Sequence, residues 1–481
     1  MIQSPSPNRS TARVEQSSEA TSFIQPIGCL LAADMETGKI SYASRNCPDL
    51  LGVELDLILG AKLGDLIGTT IWHGARNAAG LPGFEKRRIE LEGICIGGCD
   101  LAASVSQSGT LFIIELEPQS TLSTFSFREQ DFIFTKLTAC DDLDTLFSTT
   151  TRLARHLTGF DRVMIERFDR NGMSEVISEA KTGSDEPMMG QRNLYWNRKR
   201  DGGIPASLLQ PSLVSDVDAA PVAIVAAEQN APSLDLPHVL LKSPPPDHLA
   251  QMKDMGSKAS LTLPIIVGST PWGTLSFHHK TAKTPSTQVR QTLAHALLPF
   301  FTVKLEQLRD RESLAVCKKL SGLQMTLHRQ MGQKRDLNQA ISLIGPEIRD
   351  ALEVDGFALV ADSASYSFGM VPSQNAIDVL AGRAKTSGDK IQQIDLLEDA
   401  LVSSATSAEA TVSALVVAED APYFLILFRY VKAGSSAHYR QMEEKESETR
   451  EALRTRGPAP AWTPCDFERA EHLRPFLMIQ S

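Results

Sequence analysis

Ser260-Leu261-Thr262-Leu263-Pro264-Ile265-Ile266-Val267 and Trp272-Gly273-Thr274-Leu275-Ser276-Phe277-His278 read as two strands around the turn Gly268-Ser269-Thr270-Pro271. Just upstream lies Asp247-His248-Leu249-Ala250-Gln251-Met252-Lys253-Asp254-Met255-Gly256, which places a second histidine beside the pair. Further upstream, Arg162–Phe168 and Glu175–Glu179 read as strands. A helix precedes them. Leu143, Leu146, Phe147, Leu153 and Leu157 lie near helical spacing, Asp141 is the expected cap and Gly159 the stop. Between these strands and His248, Lys181 to about Pro246 is rich in Pro, Asp and Ser and reads as a long irregular stretch. Such a length inside a compact domain is uncommon without a function of its own.

From Ser286 the apolar period becomes helical. Val289, Leu293, Leu297, Phe300, Lys304 and Leu308 fall three to four apart, and the spacing resumes through Leu314, Leu320, Leu323, Leu327 and Met331. Pro299 predicts a bend in this spine, because it lacks a backbone donor and crowds the preceding turn. The spine is also a candidate dimerisation surface. Beyond it, helix Leu337–Leu352 leads to strand Gly356–Val360, with later strands at Ala414–Val417 and Tyr423–Arg429. Gln441–Thr455 is dense in Glu, Arg and Lys, a solvated helix by composition. On the N-terminal side, Ile24–Leu31 is apolar around Gln25-Pro26. A turn at Asp34–Lys39, the strand Ile40–Ala43, short Leu-rich helices over Asp49–Leu66, and strands Arg87–Ile94 and Ala103–Leu116 follow. Gln119–Ser126 reads as a linker.

The fold class is therefore α+β: three tandem domains of antiparallel sheets flanked by helices, joined by a long helical spine. The expected divisions are a disordered tail over 1–20, then domains over 21–118, 127–310 and 311–481.

A chain of 481 residues, 42% hydrophobic, is ample for such cores, and its net charge of −10 gives no general attraction for nucleic acid or anionic lipid. No apolar run approaches a membrane span, and the polar start Met1–Arg13 lacks a signal-peptide core, so a cytoplasmic protein is expected. Seven cysteines are present, at 29, 47, 95, 99, 140, 317 and 465. Cys95-Ile-Gly-Gly-Cys99 has no further ligand nearby, so a glycine turn between strands is favoured over a zinc site, which takes about four ligands.

The order of these pieces resembles the photosensory core of the phytochrome family, nearest the bacterial type: PAS, GAF, then PHY. The residues that carry the resemblance are Ile24-Gln25-Pro26-Ile27-Gly28-Cys29-Leu30-Leu31, Ser44–Gly52, Gly159–Ile165, Glu175–Glu179, the two histidine segments, Leu427-Phe428-Arg429 and Trp462–Leu477. The resemblance implies a linear tetrapyrrole in the GAF domain, tethered through a cysteine. It also implies a PHY tongue that refolds under light and strain that passes down the spine to an output.

Residue by residue, this sequence departs from that pattern. The bacterial tether would fall near Arg13, and no cysteine precedes Cys29, which sits on an apolar strand. The tether of the plant and cyanobacterial members would fall at Asp247. The family's Arg-Val-Met-x-Tyr-Arg-Phe reads Arg162–Phe168 here, with Glu166 in place of the tyrosine; Asp161 and Arg162 fall outside the family's pocket. The aspartate of Pro-Ala-Ser-Asp-Ile-Pro becomes Asn197, and a shifted match on Gly203-Ile204-Pro205 also lacks it. The tongue's Pro-Arg-x-Ser-Phe is not found between Tyr430 and Trp462, where Arg456-Gly457-Pro458 comes nearest. The two arginines that hold the bilin propionates map to Ser212 and Lys242, and a further pocket tyrosine maps to Gln251. His248, His278, Ser260 and Thr262 remain. With Lys242, Asn197 and Glu166 they make up the degenerate candidate site.

The expected function is a phytochrome-like sensory protein, not an enzyme, that lacks covalent bilin and has no resident cofactor. It would work as a homodimer through its spine (Ser286–Arg335) and a remodelled tongue (Tyr430–Pro464), with an unidentified protein partner supplying output. A photoreceptor holding biliverdin or another linear tetrapyrrole non-covalently is the alternative. A haem or metal held by the two histidines, and an acid–base pair of Glu166 with either of them, stay open at this stage.

Overall fold

The computed structural model describes residues 22–84, 87–96, 99–119, 127–168, 174–183, 185–193, 206–228, 231–332, 337–361, 364–387, 390–396, 410–418 and 423–432, with Trp462, Asp466 and Ala470. Its strands are β1 (Ser22–Ile24), β2 (Cys29–Asp34), β3 (Ile40–Ser44), β4 (Ile89–Ile96), β5 (Cys99–Ser108), β6 (Leu111–Pro118), β7 (Arg162–Phe168), β8 (Ser174–Lys181) and β9 (Arg192–Asn193). They continue with β10 (Ser212–Val214), β11 (Val222–Ala226), β12 (Ala259–Val267), β13 (Thr270–His279), β14 (Gly356–Ala361), β15 (Ala364–Gly369), β16 (Ile391–Leu396), β17 (Ala410–Ala418) and β18 (Tyr423–Lys432).

Three antiparallel sheets result. Their orders are β1-β11-β3-β2-β6-β5-β4, β10-β12-β13-β7-β8-β9 and β15-β14-β18-β17-β16. Each has an apolar core of its own. In the first, Leu31, Ile40, Phe112 and Ile114 pack under the short helices and helix Thr69–Ala79. In the second, Val163, Ile165, Leu261, Leu263, Leu275 and Phe277 pack on helix Leu143–Thr158 and on Phe301, Leu305 and Leu308 of the spine. Phe277, wholly buried, is worth about 2–3 kcal/mol by area alone. In the third, Phe357, Leu415 and Leu427 meet the spine at Leu320 and Leu323, and helix Leu337–Leu352 at Ile341, Ile344 and Ile348.

Several sequence expectations change. The helix cap is Asp142, whose side chain accepts from the Thr145 amide at 2.7 Å, rather than Asp141. The run expected as one strand over Ala103–Leu116 is two, β5 and β6, hinged at Gly109 with its positive φ of 58°. At Pro299 the spine is adjusted by a π-turn over Leu293–Leu297, in which the Leu298 amide donates to the Leu293 carbonyl, before helix Leu298–Gly332 begins. The wide turn absorbs the clash that the proline ring would otherwise make. The expected tail, the helix Gln441–Thr455, Arg456-Gly457-Pro458 and most of the tongue lie outside the described residues.

The stretch read as irregular, Lys181–Pro246, is in large part ordered by another domain. β11 enters the first sheet between β1 and β3, pairing Ile224 with both Ser22 and Ser44. Residues 22–25 therefore run between β11 on one side and Leu241–Lys242 on the other. Gln25, 5% exposed, fastens the crossing. Its Nε2 donates to the Leu213 carbonyl at 2.7 Å, and its Oε1 accepts from the Ser215 amide at 2.9 Å and the Ser215 hydroxyl at 3.0 Å. Gly28 is needed beside it, because a Cβ there would lie 2.5 Å from the Leu116 carbonyl oxygen. Charged pairs complete the joint. Arg290, at the root of the spine, reaches Glu117 of β6 at 2.6 Å, and Arg88 reaches Glu115 at 2.8 Å while the other oxygen of Glu115 accepts the Leu241 amide at 2.8 Å.

Candidate functional site

Alternation along the strands of the second sheet separates two faces. Leu261, Leu263, Val163, Ile165, Leu275 and Phe277 point into the helical core, so their neighbours in sequence point the other way. Register then builds rows across that second face, because directly opposed residues share a side. One row is Val214, Ser260, His278 and Arg162; the next is Ser212, Thr262, Ser276, Met164 and Glu179; the third holds Pro264, Thr274 and Glu166. Gly273 lets β13 approach β7 here, since a Cβ would fall 2.1 Å from the Glu166 carbonyl oxygen.

This face is polar and largely sealed. Thr274, Ser276, Glu166 and Ser260 are all buried. Arg162 holds Glu179 at 3.2 Å, and the second Glu179 oxygen accepts the Met188 amide at 3.1 Å. Ser174 donates to Glu166 at 2.8 Å. The resemblance placed Arg162 outside the family's pocket; the register sets it beside His278, while Asp161 turns outward to His279 at 2.8 Å. Strand alternation was the signal that could have found Arg162 and Glu179.

Helix Pro246–Asp254 covers one end of the face. Met252 packs on Val214 and Val217, and Ser260 donates to its sulfur at 3.4 Å. His248, on this helix, is open to solvent, yet loss of hydration lowers its pKa. His278 is bonded to Ser257 through Nδ1 at 3.2 Å. Burial pushes its pKa down to about 4; the Glu166 charge opposes the shift, and Arg162 and His248 add to it. Both shifts favour the neutral imidazole. Thr262 is half-buried on the row beside Ser260.

The remaining candidates do not join this group. Lys242 is exposed, and its carbonyl serves the Gln25 crossing at 3.3 Å. Ser212 reaches it only as the exposed end of its row, on the edge strand. Asn197 lies outside the described residues. Of the cysteines whose side chains are described, Cys29 and Cys47 are in the first core, Cys140 lies on the helical side of the second, and Cys317 is on the spine. No group of three or more His, Cys, Asp or Glu suited to a metal occurs among the described residues.

Comparison with known proteins matches three family models in chain order: the PAS fold over residues 15–119, the GAF domain over 142–298 and the phytochrome region over 320–435. The chain is 26% identical over 452 residues to phytochrome E of Ipomoea nil, covering 87% of this chain and 40% of that protein. It is 27% identical over 354 residues to cyanobacterial phytochrome A of Nostoc sp., covering 70% and 45% respectively. It is 30% identical over 213 residues to a bacteriophytochrome of Pseudomonas aeruginosa, covering 42% and 28%. The chain spans less than half the length of these relatives. It belongs to the phytochrome family and comprises that family's PAS–GAF–PHY photosensory core.

Proposed function

We propose that this photosensory core carries no covalently attached bilin and signals through protein contacts. The observation that carries this reading is the composition of the polar GAF face. None of the described thiols lies on it, and the positions aligned with the propionate clamps hold an exposed Ser212 and an exposed Lys242. Among the described residues of the face, the guanidinium is that of Arg162, already held by Glu179. In the row where the family packs a tyrosine on the chromophore, Glu166 buries a carboxylate, which is costly against an apolar ring. This donor set does not fit a tethered tetrapyrrole dicarboxylate.

A second reading, non-covalent binding of biliverdin or a related linear tetrapyrrole, is favoured by the accessible His248 and by the Ser260 and Thr262 hydroxyls. Co-expression with a bilin-producing oxygenase separates the two. The first reading expects colourless protein; a red-absorbing band that photoconverts would overturn it. Colour that survives denaturation would further show a covalent link.

Signalling through contacts is supported by apolar side chains left exposed on neighbouring helices. Phe132 and Phe134 lie on helix Phe127–Thr138, and Val303 and Leu314 on the spine. A homodimer along this surface is the arrangement we favour, with domains over 21–118, 127–310 and 311–481 and an output reached through protein contacts. The matched models are sensory domains, so we place no catalysis in this chain. A cytoplasmic setting accords with the finding that no helix among the described residues is long and apolar enough to cross a membrane. Sedimentation of the Val303→Glu, Leu314→Glu variant beside the parent checks the dimer; an unchanged dimer would exclude this surface.

A further inference from the structure

Leu111, Ile113, Glu115 and Glu117 alternate onto one face of β6, so an apolar row shared with Ile24 and Leu241 ends in two carboxylates. Register brings a third. Glu90 on β4 lies opposite Ser104 on β5, and Ser104 lies opposite Glu115. Glu115 and Glu117 are both buried. Two guanidiniums answer these three carboxylates. Arg88 reaches Glu115 at 2.8 Å, Glu90 at 3.0 Å and Glu117 at 3.7 Å. Arg290 donates to both oxygens of Glu117, at 2.6 and 2.8 Å, and to the Pro285 carbonyl at 2.8 Å. Gln291 donates to the second oxygen of Glu90. Two consecutive residues of helix Thr287–Thr292 therefore hold the first sheet, and the π-turn Leu293–Leu297 follows at once. At the far end of these contacts Glu115 accepts the Leu241 amide at 2.8 Å, and the Leu241 carbonyl accepts the Gln25 amide at 2.8 Å.

We infer that the first domain grips the root of the spine, and that this grip is coupled to the Gln25 crossing through the shared guanidinium of Arg88. The physical reason is charge balance in a buried place. Without Arg290, three carboxylates would share one guanidinium, and a buried charge left without its partner is strongly destabilising. Arg88, already 3.7 Å from Glu117, would be drawn to it and away from Glu115. Glu115 would then loosen its hold on the Leu241 amide, beside the crossing. None of these side chains stands in the rows that carry His278, Thr262 and Glu166, so a change in the first domain has a route to the spine that does not pass through the polar GAF face. The inference does not depend on whether a bilin binds.

The test is amide hydrogen exchange on the whole purified chain, read peptide by peptide. Arg290→Met is expected to speed exchange about tenfold in the peptides that cover Leu241 and Val222–Ala226, with the β12–β13 hairpin within about twofold of the parent. The double variant Arg290→Met, Glu117→Gln removes both charges and leaves Arg88 to Glu90 and Glu115. It is expected to return the Leu241 peptide towards the parent rate. Gln291→Ala deletes one neutral donor at a half-buried position, which puts folding least at risk, and is expected to give the same pattern at smaller amplitude. Faster exchange confined to residues 286–297, or equally fast exchange in the β12–β13 hairpin, overturns the inference. So does a Leu241 rate that the double variant fails to lower.

Discussion

The two faces of the GAF sheet share the same three central strands and solve opposite problems. The helical side, with Phe277, Leu275 and Val163, is an ordinary close-packed core. The other side buries Glu166, Ser276, Thr274 and the Arg162–Glu179 pair, groups that are expensive to remove from water unless each finds a partner. Side chains on the first face are replaceable by others of similar volume. Those on the second are chosen for hydrogen bonding and charge, which is where ligand specificity or its loss is written.

The comparison can be broken most sharply on the apolar side. Phe277→Ala should cost about 3–5 kcal/mol by urea unfolding, because it removes a fully buried ring that meets Phe160 edge to face. A loss under 1 kcal/mol would mean this face is not the structural one. On the polar side, Arg162→Met should cost roughly 3 kcal/mol, since it leaves Glu179 buried without its cation. The double variant Arg162→Met, Glu179→Leu should recover most of that loss; no recovery would show that the pair is not coupled.

Acid offers a third probe. His278 is held neutral in the fold, with its pKa moved from 6.5 to about 4, so the unfolded chain binds the extra proton. Stability is then full above pH 6.5 and declines as pH falls through that range towards 4. His248 and His279, also lowered, act in the same direction. Lowered carboxylates such as Asp34, Asp142 and Asp218 add their loss only as pH falls below their ordinary 3.8. His278→Gln should flatten the upper limb of the thermal midpoint against pH; an unchanged limb would assign it to other groups. The smallest expected effect is His248→Ala, within about 0.5 kcal/mol of the parent, because its ring is open to solvent. A large loss would make His248 structural and weaken its reading as a lining residue.

Much of this comparison was legible in the sequence. The strands around Gly268-Ser269-Thr270-Pro271, the helix Leu337–Leu352 and the spine follow from local pattern, and they stand where expected. The position of His278 opposite Ser260 follows from hairpin register. What was hidden depends on distant partners. Nothing within Val222-Ala-Ile-Val-Ala226 announces that it completes the sheet of another domain, because the edge it pairs with lies nearly two hundred residues earlier. The setting of Arg162 was hidden for the same reason: its neighbours His278 and Glu179 come from other strands, and only register brings them together.

The Gln25 crossing has a consequence for how the chain is made. Strands β1 and β3 emerge first from the ribosome, but the strand that joins them is synthesised long after, so the N-terminal sheet stays open while the following domain is being translated. The first domain of this protein is therefore finished only when the second is partly made, and its exposed edge is the place where a chaperone, or a stray second chain, would find the nascent protein.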